Sequence, residues 1–224
     1  QIFSRDIAFV IENKFVFANV VEDRAKEIQG IKHVYDQIED QNIIHLPESC
    51  HVEGGDVMLC GNYVFIGTYS ADDYSKYITA RTNSQAVDVI EKLFPNKTII
   101  PFELLKSNDD ARNSALHLDC CLQPVGNNKA ITCPDGFLDK NQYQWIVDLF
   151  GADNIFEISR EEMYNMHCNI FSIDKNVVVS DRAFTRLNTW LEENNFIVEK
   201  IKYTEVSKQG GLLRCSTLPL IREN

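Results

Sequence analysis

The feature that most limits what this chain can fold into is an internal repeat. Across 224 residues, the order apolar strand, apolar strand, amphipathic helix, apolar strand recurs four times. The first copy reads as Ile7 to Ile11, Phe15 to Val20, a charged amphipathic helix from Val21 to Gln29, and a short run around Val34. The second reads as Asp56 to Cys60, Tyr63 to Gly67, a helix from Thr82 to Leu93, and Thr98 to Phe102. The third reads as Leu116 to Leu122, Lys129 to Thr132, a helix from Lys140 to Phe150, and Asn154 to Ile158. The fourth reads as Cys168 to Ile173, Val177 to Ser180, a helix from Asp181 to Asn195 capped by Ser180, and Ile197 to Tyr203. A fifth copy opens at Gly211 with an apolar run to Cys215.

Units of this size bury their apolar faces only against neighbours, so the repeat predicts an α/β-propeller: five pseudo-repeated strand-strand-helix-strand units around a central active site. The expected organisation is one catalytic domain over residues 1–224. The fifth unit is incomplete at the C-terminus and the chain begins at Gln1 without a methionine. Native N-terminal residues outside the chain are therefore expected to supply the remaining strand and helix.

Charge and cysteine content narrow the partners. A formal net charge of −11 and a pI near 4.9 repel phosphate backbones and anionic lipid and favour a small cationic ligand, so neither nucleic acid nor membrane is an expected partner. Seven cysteines, an odd number with no C-x-x-C pair, point to reduced thiols and a cytoplasmic location. Adjacent Cys120 and Cys121 read as small apolar residues of a buried strand. No apolar stretch is long enough to span a bilayer. Whether the chain forms a homo-oligomer is not written in the sequence.

The chemistry-bearing residues fall at one equivalent place in each repeat. Asp6 opens the first, Glu53 and Asp56 the second, His117 and Asp119 the third, His167-Cys168-Asn169 the fourth, and Cys215 the fifth. In a propeller, equivalent positions converge on the axis. A thiol, an imidazole and several carboxylates meeting there suit the binding of a guanidinium cation and attack on its central carbon. One motif histidine and scattered thiols do not make a tetrahedral metal set, so no metal and no other cofactor is expected.

The motifs carry a family resemblance over essentially the whole chain. Phe3-Ser4-Arg5-Asp6, Glu53-Gly54-Gly55-Asp56, His117-Leu118-Asp119 and the stretch from Gly211 to Leu220 resemble, in order, those of the guanidino-group-modifying enzyme superfamily. That superfamily has the pentein fold and includes arginine deiminases, dimethylarginine hydrolases and amidinotransferases. The resemblance implies cysteine-dependent hydrolysis of the guanidinium of arginine or an arginine derivative, through a covalent thiouronium, giving a ureido product and ammonia or an amine. It implies Cys215 as nucleophile, His117 as acid and then base, Glu53 as its orienting partner, and Asp6 and Asp119 as guanidinium holders. Asp56 and Asn169 are expected to line the pocket. Arg81-Thr82 is similar to a deiminase motif whose arginine contacts the substrate carboxylate, with an insertion here between Thr68 and Ala80.

Two differences bear on the branch. Amidinotransferases usually carry an Asp-Ala-Ala-Asp type sequence where this chain has Glu53-Gly54-Gly55-Asp56, and dimethylarginine hydrolases usually lack the aspartate found here at Asp119. Both favour a deiminase-like hydrolase, with amidino transfer to an amine as the alternative. A non-catalytic pentein would not need acid, imidazole and thiol together, and a papain-like protease would carry its cysteine near the N-terminus.

Overall fold

The computed structural model describes residues 2–126 and 128–221. Two compact units divide the chain. One holds the residues up to Phe102, with Leu116–Leu118 and the C-terminal residues from Cys215; the other holds Glu103–Ala115 and Asp119–Arg214.

The first unit contains two three-stranded sheets. Strands β1 (Ala8–Ile11) and β2 (Lys14–Phe17) form a hairpin, and β3 (Ile43–His45) pairs parallel to β2. Strands β4 (Val57–Cys60) and β5 (Tyr63–Thr68) form a second hairpin, with β6 (Thr98–Glu103) beside β5. Both hairpins turn on two residues, the first of which has positive φ, Glu12 at 55° and Gly61 at 56°, as the right-handed strand twist favours. A parallel third strand requires a crossover. In the first repeat this is the 3-10 segment Glu22–Ile31, running into helix α1 (Lys32–Tyr35). In the second repeat helix α2 (Ser84–Leu93) lies between β5 and β6 in the chain and buries Ala86 and Ile90 one turn apart. The Asn83 side chain caps α2 by accepting from the Ala86 amide at 3.1 Å, worth about 1 kcal/mol. Ala86, Ile90 and Phe94 pack with Phe9, Val16, Val64 and Ile66 in one core.

The second unit repeats the plan. Strands β7 (Leu122–Val125) and β8 (Lys129–Thr132) are antiparallel, and β9 (Ile155–Glu157) is parallel to β8 across helix α3 (Lys140–Phe150). After α4 (Arg160–Tyr164), β10 (Phe171–Ser172) pairs antiparallel with β11 (Val177–Asp181), and β12 (Ile197–Ile201) lies parallel to β11 across α5 (Thr185–Glu193).

Several expectations are corrected. The run around Val34 is helical, because Ile31, Val34, Tyr35 and Ile38 recur at helical spacing and pack on one core; the third strand of that repeat is β3. The helix expected over Val21 to Gln29 is 3-10 from Glu22 to Ile31. Leu116 to Leu122 is not a strand: a 3-10 turn at Leu118–Cys120 aims the Leu118 amide at Asp56, and pairing begins at Leu122. Ser180 lies buried within β11 and caps nothing; the loop before α5 is held by Asp181, which accepts from the amides of Ala183 and Tyr203. Gly211 to Cys215 is not a strand: Gly211 and Leu212 are irregular and a turn begins at Leu213. None of the helices among the described residues is long and apolar enough to cross a membrane.

Candidate active site

The first unit gathers Asp6, Glu53, Asp56, Arg81, His117 and Cys215. Asp6 leads into β1, Glu53 ends the extended stretch before the turn Gly54–Asp56, and that turn opens β4. The two glycines are required by close approach. A Cβ on Gly54 would lie 2.1 Å from the Arg5 carbonyl, and one on Gly55 would lie 2.6 Å from His117 Nδ1. The backbone therefore passes directly against the imidazole, with Gly54 N donating to the Asp6 carbonyl at 2.9 Å.

His117 is buried between two carboxylates. Its Nε2 is 2.8 Å from Glu53 Oε2 and its Nδ1 is 3.7 Å from Asp6 Oδ1. Burial by itself would lower the imidazole pKa; the charge of Asp6, the hydrogen bond to Glu53 and the charges of Asp56 and Glu53 raise it well above the usual value. For Glu53, burial pushes the carboxyl up, and the hydrogen bond from His117 with the charges of His117, Arg81 and Arg24 more than reverses that, holding it ionised. Glu53 is fully buried and accepts three charged donors. Arg24 Nη1 and His117 Nε2 meet Oε2 at 2.9 and 2.8 Å, and Arg81 Nη1 meets Oε1 at 2.9 Å.

Asp56 spends its oxygens on scaffolding. Oδ2 accepts from Thr82 Oγ1 at 2.7 Å and Oδ1 from the Leu118 amide at 2.9 Å, which fixes the residue next to His117. Arg81 also donates from Nε to the Ile78 carbonyl at 2.8 Å. Cys215 is buried, and its carbonyl accepts from the Arg5 amide at 3.0 Å, tying the thiol-bearing residue to the one before Asp6.

The second unit holds the other two residues singled out by sequence. Asp119 Oδ2 accepts from Arg214 Nη1 at 2.7 Å, a fully buried ion pair. Asn169 accepts from Leu212 N through Oδ1 at 3.0 Å and from both Leu213 N and Arg214 N through its carbonyl at 3.1 Å. These bonds hold the chain up to the residue preceding Cys215.

Sequence reasoning passed over two residues and gave a third no role. Arg24 bridges Asp6 and Glu53, and the Tyr74 phenol is pushed up to about 12 by burial and then by the charges of Asp56 and Glu53. Thr82, named in the motif Arg81-Thr82 without a role, braces Asp56. Arg24 left a trace in the pattern, a Glu27 partner at i,i+3, and that spacing does not reveal an inward-facing guanidinium. Among the described residues, one cluster has metal-ligand spacing, Asp6, Glu53 and His117; its carboxylate oxygens Asp6 Oδ2 and Glu53 Oε2 already accept from Arg24.

The chain matches the family described as N,N dimethylarginine dimethylhydrolase, eukaryotic, over residues 1–222. It is 26% identical to the uncharacterized protein YkgA of Bacillus subtilis (strain 168), covering 99% of this chain and 70% of that one. Among solved structures, the N-terminal domain of ArgZ covalently bound to a reaction intermediate is similar, with a TM-score of 0.78 and 21% identity, over 99% of this chain and 75% of that one. DDAH from Pseudomonas aeruginosa complexed with citrulline gives a TM-score of 0.76 and 19% identity, over 96% and 74%. These likenesses establish the α/β pentein fold. The repeats, the motif order and the match over nearly the full length lead to one conclusion: the chain belongs to the N,N dimethylarginine dimethylhydrolase family, within the guanidino-modifying hydrolases.

Proposed function

We propose that this protein hydrolyses the guanidinium group of arginine or an N-methylated arginine through a covalent adduct on Cys215. The observation that carries the reading is the buried acid set of Asp6 and Glu53 around His117, which accepts guanidinium donors from the chain's own Arg24. A guanidinium is planar and permanently charged, and paired carboxylates match its forked N–H groups.

In the proposed reaction the Cys215 thiolate attacks the central carbon and forms a C–S bond. His117, held by Glu53 through Nε2, enters as imidazolium. From Nδ1, the nitrogen on the Asp6 side, it passes its proton to the departing nitrogen, and the C–N bond breaks to release ammonia or an alkylamine. The neutral imidazole then takes a proton from water, whose oxygen attacks the thiouronium. Loss of the thiolate, with the remaining hydroxyl proton passing to the released ammonia or amine through solvent, leaves a neutral ureido product and restores the thiolate and the imidazolium. Asp6 holds the guanidinium, Glu53 orients and charges His117 as the acid of a triad does, and Asp56 and Asn169 position His117 and the Cys215 segment. Asp119, paired with Arg214, braces the residue bonded to Cys215. Arg81, partly exposed and paired with Glu53, is assigned the amino-acid end of the substrate, toward which its guanidinium would donate.

The leaving group separates the two substrate readings. The family name favours a dimethylarginine and hence dimethylamine, whereas the ArgZ structure described as an arginine dihydrolase favours arginine and ammonia. The test is a ureido-product assay against both, with ammonia and alkylamine measured separately and Cys215→Ala alongside. Ureido product that vanishes in Cys215→Ala is the expected result. Product that persists in that variant, or amidino transfer to an added amine in place of hydrolysis, would overturn the proposal.

A further inference from the structure

The insertion between Thr68 and Ala80 is a closed loop. At its base the chain leaves β5 and returns at Thr82, whose carbonyl accepts from Thr68 Oγ1 at 3.2 Å and from the Tyr69 amide at 3.1 Å. Its own side chains pack it, as in other compact surface loops whose ends meet. The Tyr69 hydroxyl donates to Asp73 Oδ1 at 2.9 Å, and the Tyr69 and Tyr77 rings meet edge to face with centroids 5.2 Å apart. The Tyr74 amide donates to the Ala71 carbonyl at 2.9 Å and the Ala80 amide to the Tyr77 carbonyl at 3.1 Å.

One side of this loop meets the acid set. The Ile78 carbonyl accepts from Arg81 Nε at 2.8 Å, and the Tyr74 ring lies 6.4 Å from that of His51. After burial, the charges of Asp56 and Glu53 are what make the Tyr74 phenol a weaker acid, so the loop lies within the field of both. The Ile78 side chain is 73% exposed. What this residue contributes is its carbonyl, not core packing.

Arg81 is thereby clamped at two of its three nitrogens, Nε by Ile78 and Nη1 by Glu53 Oε1 at 2.9 Å. Two acceptors on a rigid planar group fix its plane. Nη2 has no acceptor among the described residues, and the side chain is 17% exposed. Without the Ile78 carbonyl the group would pivot about Nη1, and the direction of its open N–H groups would be lost.

We propose that the inserted loop is the specificity-determining element for a carboxylate on the substrate: the Ile78 carbonyl holds Arg81 in the orientation that offers Nη2 to it, so guanidino acids are preferred over guanidines that lack a carboxylate. The inference rests on the functional reading above, in which Arg81 takes the amino-acid end.

Glu53 adds a fixed spacing. It accepts from His117 through Oε2 at 2.8 Å and from Arg81 through Oε1 at 2.9 Å. One buried carboxylate thus sets the distance between the proposed proton donor and the group that receives the substrate's carboxylate. The clamp acts by pre-organisation, because the long Arg81 side chain is ordered on folding and not on binding. A bare guanidine gains nothing from it.

The test is steady-state kinetics of three variants on the substrate identified above. In each, KM is compared with the inhibition constant of methylguanidine, which has no carboxylate, and the ratio of the two is the readout. Removing residues 70–78 takes away the acceptor of Arg81 Nε. The ratio should rise about tenfold through KM alone, with kcat within about twofold. Asp73→Ala keeps the chain length and cuts the Tyr69 anchor. It should fold even if the deletion does not, and should raise the ratio by about threefold. Arg81→Ala should raise it by about 10- to 100-fold. General damage to the acid set would move both constants together and leave the ratio in place. A ratio unchanged in the folded loop variants while Arg81→Ala raises it would overturn this inference alone. A ratio that Arg81→Ala leaves at its native value would instead overturn the assignment of Arg81 on which it stands.

Discussion

His117 and His167 stand at equivalent places in the third and fourth repeats, one in each compact unit, and their surroundings give them opposite chemistry. His117 sits between Glu53 and Asp6, and the carboxylates overcome burial to keep it protonated. His167 stacks on Phe184 with ring centroids 3.8 Å apart, and there burial wins over the charge of Glu162, so its pKa falls below the ordinary value. One imidazole is a charged acid in an ion cluster. The other is a neutral aromatic plate. The same residue type, at the same point of a repeat, is suited to the proposed proton transfer only where carboxylates face it.

The comparison breaks most directly by truncation. His117→Ala is expected to lower kcat by roughly 10²- to 10⁴-fold, the range for loss of a general acid–base, while His167→Ala leaves kcat within about twofold and costs only the packing on Phe184. Ureido product formed per second by each variant decides the point, and comparable losses in both would abolish the distinction. Next in size is Glu53→Gln. The amide keeps the shape but, beside the remaining charge of Asp6, removes the charged hydrogen-bond partner that helps to lift His117, so kcat/KM should drop by on the order of 10²-fold. The alkaline limb of the pH–rate profile should also move down toward the ordinary histidine value near 6.5. A limb that stays in place would mean that Glu53 adds nothing to what Asp6 and Asp56 do to the imidazole.

Sequence revealed the repeat and the motif residues because both are local in period. Helix α3 falls at Lys140–Phe150 as its spacing requires, and β8 at Lys129–Thr132. What escaped depends on partners distant in the chain. Arg24 meets Glu53 across 29 positions and Asp6 across 18, and no periodicity distinguishes an arginine turned inward from one on a solvated face. Ser180 shows the same limit from the other side. It has the composition of a helix cap, but the parallel register of β11 with β12 carries the strand through it to Asp181. The turn at Leu118–Cys120 likewise follows from a tertiary demand, the acceptor on Asp56 for the Leu118 amide, where local hydrophobicity alone reads as strand.

Acid and alkali sharpen the contrast between the histidines. His117 has a folded pKa raised to about 9, so the folded state binds the extra proton. Its contribution to stability is complete below the unfolded value near 6.5 and is lost as pH rises through about 9. Glu53, lowered to about 2, contributes above its unfolded value near 4.5 and loses that contribution as pH falls toward 2. His167, lowered, works in the reverse sense to His117 and destabilises the fold as acid protonates the unfolded chain first. Urea unfolding between pH 7 and pH 10 should therefore show a decline in stability that His117→Gln removes and His167→Gln leaves intact. A decline of equal size in both variants would assign the alkaline instability to other groups.

The smallest expected effect concerns Asn169, next to Cys168 and two residues from His167. Its side-chain oxygen accepts from Leu212 N, and its carbonyl holds Leu213 and Arg214, the residues leading to Cys215. Asn169→Ala leaves the carbonyl bonds in place and removes the side-chain acceptor of the buried Leu212 amide, at a cost of about 1–3 kcal/mol. That loss should appear as a lower urea midpoint with an unchanged slope, since the surface exposed on unfolding is the same. If Asn169 acts by positioning the segment, the alkylation rate of Cys215 by iodoacetamide should also change, with KM moving less than kcat. A variant whose KM rises while its stability and Cys215 reactivity stay native would make Asn169 a substrate contact instead. The fourth repeat would then contribute to recognition through the residue beside its neutral histidine, not only to the scaffold.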